Sequence, residues 1–283
     1  MGLRSLLSRL PFIPIGEPPP VVAVLRLSGV IGSMGPLRSG LTLSRLAEPI
    51  ERAFKVKHLK AVALAVNSPG GSPVQSALIA NRIRSLAEEK KVKVFAFTED
   101  VAASGGYWLA CAADEIYADE SSIIGSIGVI SQGFGFTEAI QRLGIERRVH
   151  TAGDKKSLLD PFREEDPTDV KRLKAIQKEV HESFKDLVRQ RREGRLKASE
   201  RTLFTGEFWT GRKSLELGLV DGLGELRQVM RERYGKKVRL KRVDGERRWW
   251  RPSLRIETPR PSDWASGLIA AVEERSLWAR YGL

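Results

Sequence analysis

Residues 59–113 read LKAVALAVNSPGGSPVQSALIANRIRSLAEEKKVKVFAFTEDVAASGGYWLACAA, and their punctuation decides the fold. Residues 59–66 are a short apolar run closed by Asn67-Ser68-Pro69-Gly70-Gly71, which predicts a buried strand ending in a turn. Residues 76–89 have helical spacing, residues 92–97 read as a second strand, and residues 105–113 as a second helix. Working outward, residues 21–31 (VVAVLRLSGVI) form another β-branched run punctuated by Gly29. Leu43, Leu46, Ile50 and Phe54 give a helix over 43–54, and residues 115–118 give a short strand. A glycine-punctuated stretch covers residues 125–135. Asp166-Pro167 then caps a long helix, with proline in its first turn and apolar residues from Val170 to Leu187. Residues 215–219 and Val220-Asp221-Gly222-Leu223-Gly224 close the body. Strands alternating with helices predict an α/β fold: a parallel or mixed sheet covered by helices.

The composition agrees. Of 283 residues, 41% are hydrophobic and 29% charged, which excludes disordered, collagen-like and coiled-coil classes. A single cysteine, Cys111, excludes an internal disulfide framework and a multi-thiolate zinc site, and its apolar surroundings predict a buried core residue. Three histidines, His58, His150 and His181, leave little for a metal site, and His181 reads as a residue on a helix face. The net charge of +13 points to an anionic neighbour. Residues 225–256 hold 12 basic and 4 acidic side chains, +8 of that total, with Trp249-Trp250 set among Arg247, Arg248 and Arg251. Basic residues mixed with tryptophan fit an anionic membrane interface, with a solvated tail or packing on a neighbouring subunit as the alternatives. No nucleic-acid motif accompanies them, so nucleic acid is not expected as a partner.

Residues 1–15 contain no apolar core of signal-peptide length, and no run elsewhere makes a spanning helix. The expectation is a cytoplasmic protein, peripheral at the inner face of a membrane. Leu3, Leu6, Leu7 and Leu10 share one helical face that could rest on such a surface, with a frayed terminus as the alternative. The expected division is a leader and Pro-rich spacer at 1–20, one domain at 21–234, and a basic, Trp-containing extension at 235–283. Trp264, Leu268, Ile269, Val272 and Leu277 suggest a terminal amphipathic helix.

Three loops fall after or near strands, where an open α/β sheet gathers its site. In the first, Gly70-Gly71 lets backbone N–H groups face a ligand, as an oxyanion hole or as a plain tight turn. In the second, Ser104 stands at a strand-to-helix turn crowded only by Ala and Gly. That placement suits a nucleophile elbow without the Gly-x-Ser-x-Gly pattern, or an ordinary N-cap serine. The third, Thr151-Ala152-Gly153-Asp154-Lys155-Lys156-Ser157, offers a lysine pair that is either functional or solvated.

Together these loops resemble the signal peptide peptidase A family, in particular its short SohB-like branch. The resemblance is carried by Asn67-Ser68-Pro69-Gly70-Gly71, Ala103-Ser104-Gly105-Gly106-Tyr107, Gly125-Ser126-Ile127-Gly128-Val129 and Thr151-Ala152-Gly153-x-x-Lys156. It extends to Phe204-Thr205-Gly206 and Gly218-Leu219-Val220-Asp221, and covers roughly residues 21–225. It implies a crotonase/Clp protease-like fold and a serine peptidase with a Ser–Lys dyad. Ser104 would be the nucleophile, Lys156 the general base, and Ser126 the hydroxyl that orients the amine. Gly71, with Gly105 at the helix start, would supply the oxyanion N–H groups. Peptides would be the substrates, signal-peptide remnants or membrane-protein fragments among them. No metal or cofactor is implied, and a homo-oligomer would bring Ser and Lys together from neighbouring subunits. A lysine serving as base must fall from about 10.4 to roughly 7–8, a change of about 4 kcal/mol. Burial and nearby cations such as Lys155, Arg147 and Arg148 are the expected causes. Two other classes fit the loops: a crotonase-type acyl-CoA hydratase or isomerase, and a catalytically silent membrane scaffold.

Overall fold

The computed structural model describes residues 18–33, 40–153, 155–243, 271–272 and 274–283. The expected membrane-facing leader, the Trp249-Trp250 pair and most of the expected terminal helix lie outside the described residues.

Strand β1 (Val21–Ser28), helix α1 (Leu43–Phe54), β2 (Leu59–Ser68), α2 (Pro73–Lys90), β3 (Lys93–Ala103) and α3 (Gly105–Ala110) alternate as expected. They are followed by β4 (Glu115–Ala118), β5 (Ile123–Gly125), α4 (Thr137–Arg142) and the long α5 (Pro167–Arg191). The remaining elements are α6 (Glu200–Leu203), β6 (Phe208–Thr210), α7 (Gly211–Leu217), β7 (Gly222–Leu223), α8 (Leu226–Tyr234) and β8 (Arg239–Arg242). The strands form one eight-stranded sheet in the order β6-β5-β3-β2-β1-β8, with β4 pairing β3 and β7 off that path. Only the β5–β6 pair is antiparallel.

Period-two alternation divides each central strand between two apolar layers. Ala23, Leu25 and Leu27 of β1, with Val62, Leu64 and Val66 of β2, face a core built with α1, α2, α3 and α5. Val22, Val24, Ala61, Ala63, Phe95 and Phe97 face the opposite side, against Val229 and Met230 of α8. The sheet is thus covered on both faces, as parallel sheets require.

Boundaries moved where local signals compete with pairing. β1 stops at Ser28 because Gly29 turns at φ 111°. β3 does not end at Phe97: it continues through Thr98-Glu99-Asp100 to Ala103, where β5 pairs with it. Helix α2 begins earlier than residue 76, with Pro73 in its first turn and the Ser72 hydroxyl accepting from the Gln75 N–H. Residues 239–242, all but one of them basic, are the edge strand of the sheet: Val21–Val24 pair with them in parallel. Charged side chains read as a solvated tail, yet they also protect a sheet edge from further pairing. The first part of the segment set apart at 235–283 is therefore sheet.

Cys111 is fully buried, and burial pushes its thiol up to about 12. Since the thiolate is the reactive form, the folded protein is expected to resist iodoacetamide at neutral pH. Mass spectrometry should find the label at Cys111 only after denaturation.

Candidate active site

The C-terminal ends of β2, β3 and β5 converge on one place. Ser104 follows β3 as the N-cap of α3 and is held at φ 53°, ψ −122°, a conformation that favours glycine. Its N–H donates to the Gly125 carbonyl at 2.8 Å. This is a sharp strand-to-helix bend, a geometry shared with nucleophile elbows.

The glycine pairs are explained by crowding. Gly70 (φ 103°) lies against this turn so closely that a Cβ there would sit 2.8 Å from the Ser104 Cβ and 2.9 Å from the Gly105 nitrogen. A Cβ on Gly105 would fall 2.5 Å from the Ser76 hydroxyl and 3.4 Å from the Gly71 nitrogen. One on Gly106 would fall 2.3 Å from the Ser68 carbonyl oxygen. The loop after β2 and the first turn of α3 are therefore in contact, with Gly70 against Ser104 and Gly71 beside Gly105. Asn67 locks this arrangement: its amide donates to Asp100 at 2.5 Å and accepts from the Val101 N–H at 3.3 Å.

Ser126 enters through strand register. Ala103 pairs with Gly125, so Ser104 and Ser126 are the next residues on neighbouring parallel strands. Both turn at positive φ, 53° and 51°. The Ser126 N–H donates to the Glu207 carbonyl at 2.6 Å. Sequence reasoning missed two partners of this loop. His181 of α5 bonds through Nε2 to the Ile127 carbonyl at 3.0 Å, so this face residue of the helix holds the serine loop. Tyr281 donates its hydroxyl to the Ser126 Oγ at 3.3 Å and packs edge-on against Phe208, 5.1 Å between ring centroids. His181 had no local signal beyond its helix position, and Tyr281 lies 155 residues from Ser126.

The Lys156 side chain is exposed, and among the described residues it makes no hydrogen bond to Ser104 or Ser126. It lies in a segment, residues 130–166, that leaves the sheet and exposes Ile130, Phe134, Leu143 and Ile145. Two of the three cations expected to tune it are engaged elsewhere: Arg147 pairs with Asp160 at 2.7 Å and lies over the Phe162 ring, and Arg148 pairs with Glu146.

Two further motifs hold the site together without touching it. The Tyr107 hydroxyl donates to the Leu219 carbonyl at 2.7 Å. Arg192, 1% exposed, donates to the Gly218 carbonyl and to Asp221 at 2.6 Å, while Asp221 also accepts from the Ile116 N–H and Arg195. Gly218-Leu219-Val220-Asp221 is thus an anchor between α3, α5 and β4.

The sequence model for "Peptidase family S49" matches residues 86–239, more than half of the chain. The chain belongs to peptidase family S49. Within that family setting, it is 31% identical over 216 residues to "Serine protease SPPA, chloroplastic" of Arabidopsis thaliana, covering 74% of this chain and 31% of that protein. It is 29% identical over 209 residues to "Putative signal peptide peptidase SppA" of Enterococcus faecium, covering 72% of this chain and 60% of that one. A Brucella abortus protein named "Na(+)/H(+) antiporter NhaA" is 49% identical over 272 residues, 93% of this chain but 37% of its own length. That stretch includes the residues matched by the S49 model. No helix among the described residues is long and apolar enough to cross a membrane. The chain thus spans between about a third and 60% of these relatives. The fold matches a mutant form of "1510-N membrane-bound stomatin-specific protease", with a TM-score of 0.51, 16% identity, and coverage of 80% of this chain and 98% of that one. The fold is accordingly the crotonase/Clp protease-like α/β class expected from the sequence. The acyl-CoA hydratase alternative falls with the family assignment.

Proposed function

We propose that this chain hydrolyses peptide bonds through an acyl-enzyme on Ser104. The observation that carries the reading is the strained turn of Ser104, pressed against Gly70-Gly71 and aligned with Ser126 by strand register. The N–H groups of Gly71 and Gly105 receive the oxyanion: Gly105 opens α3, whose first amides have no intrahelical acceptor, and Gly71 lies against it. Lys156 takes the Ser104 proton and returns it to the leaving amine, and Ser126 orients the lysine amine. A base acts only within hydrogen-bond reach, and an exposed lysine on a segment with bare apolar side chains favours delivery from a second copy. The functional unit is then a homo-oligomer with each site shared between subunits.

Peptides are the substrate class, with signal-peptide remnants suggested by the Enterococcus relative's name. Neither metal nor organic cofactor takes part in the proposed steps. The basic C-terminal residues add an anionic membrane surface as a partner.

A fluorophosphonate probe tests the chemistry, because only an activated serine reacts. Labelling at Ser104, located by mass spectrometry and lost in Lys156→Ala, is the expected result. An unlabelled oligomeric protein would leave a silent scaffold instead.

A further inference from the structure

A second site lies at the opposite end of β1. Between the C-terminal end of α1 and the edge strand β8 there is a groove of about 810 Å³. Its rim carries Arg52, Lys55, Lys57, Arg239, Lys241 and Arg242, with His58 beside them, and its floor is apolar, with Val56 and Val243 packed into the core under α1. No acidic side chain lines it among the described residues. Glu48 and Glu51 answer Arg52 and Lys55. Lys57, Arg239 and Lys241 are exposed and have no ion pair among the described residues. The groove starts at Val21, whereas Ser28 at the far end of β1 pairs with Asn67 of the catalytic loop. Seven steps of about 3.3 Å put roughly 23 Å between the two places. This charge is therefore remote from Ser104 and does not serve the proton transfer.

We infer that this groove is a docking surface for anionic phospholipid, with headgroup phosphates on the Lys57, Arg239 and Lys241 rim and the apolar floor against the acyl boundary. The inference deepens the membrane-surface part of the proposed function and is independent of the Ser–Lys dyad. Three features favour lipid over other anions. The unpaired cations are spread along a strand edge and a helix end, which suits an extended charged surface better than one small ion. The floor between them is apolar, which suits an amphiphile and has no use for a nucleic-acid backbone. Four residues beyond Val243 of the groove the sequence reads Arg247-Arg248-Trp249-Trp250-Arg251, a cationic and aromatic composition that fits the same interface.

The test uses the full chain and sedimentation with phosphatidylcholine vesicles, with or without phosphatidylglycerol. Binding is expected only to the anionic vesicles and is expected to weaken at high salt, because exposed charge attraction is screened. The triple reversal Lys57→Glu, Arg239→Glu and Lys241→Glu should weaken binding by at least about tenfold, given roughly 1 kcal/mol per basic residue near an anionic surface. A control reversing Lys171, Lys174 and Arg201, exposed residues of α5 and α6, should bind as the parent does. Thermal melting of each variant checks that it folds. A folded triple reversal that binds as tightly as the parent overturns the inference, and so does equal binding to neutral vesicles. Saturable binding of inorganic phosphate or a short oligonucleotide at the groove, without vesicle binding, would also overturn it. Fluorophosphonate labelling of the triple reversal should be unchanged, which separates failure of this site from failure of the dyad.

Discussion

Ser104→Ala and Lys156→Ala are each expected to lower peptide hydrolysis by about a thousandfold or more while the protein remains folded. Residues that act as one unit lose most of their effect when either is removed. The position of Lys156 makes a sharper result possible. If each site takes Ser104 from one copy and Lys156 from another, oligomers assembled from both inactive variants will contain some intact pairs. Co-expression of the two is therefore expected to restore part of the turnover that neither shows alone. If the dyad forms within one chain, the mixture stays inactive and the shared site is lost as an idea. Retained turnover in Ser104→Ala would remove the nucleophile assignment. Activity lost in Lys155→Ala but kept in Lys156→Ala would move the base by one residue.

The largest stability effect is expected at Asp221. Burial opposes its ionisation, yet the Arg192 guanidinium, the Ile116 N–H and Arg195 together hold its carboxyl below the ordinary 3.8. Asp221→Asn leaves the Arg192 charge buried without its counter-ion, a loss of about 3 kcal/mol or more. In thermal melting this corresponds to roughly 5–10 °C. The pH dependence follows in sign. A carboxyl with a lowered folded value contributes stability above its unfolded value and loses it as pH falls through the folded value. Wild type and Asp221→Asn should therefore differ fully at neutral pH and converge below about pH 3.8. A constant gap across that range would mean that the charge of Asp221 is not what stabilises the anchor.

The elements that the sequence disclosed are those whose signal is local. β2 and α2 announce themselves through an apolar run, a Pro-Gly-Gly break and a capping serine. Ser104 stands out because only Ala and Gly surround it. The elements it concealed owe their existence to distant partners. Thr98-Glu99-Asp100 look like a loop, but β5 supplies the hydrogen bonds that keep the strand extended as far as Ala103. The three residues of β6 are too few for periodicity. Arg239–Arg242 carries the charge of a tail and becomes a strand because β1 offers it an open edge. Arg147 and Arg148 were reasonable neighbours for a lysine base by sequence distance, and their carboxylate partners, Asp160 and Glu146, turned them elsewhere.

By itself the sequence determined the α/β class, the order of its central strands and helices, and the loops bearing Ser104 and Gly70-Gly71. These depend on side-chain periodicity and on residues that limit their own backbone, which act over a few positions. Only the tertiary structure decided that Ser126 stands beside Ser104 and that His181 and Tyr281 reach its loop. The first relation is made by strand pairing, in which every residue offers the same backbone groups, and the others by side-chain hydrogen bonds across 54 and 155 residues, so no local pattern records which groups will meet.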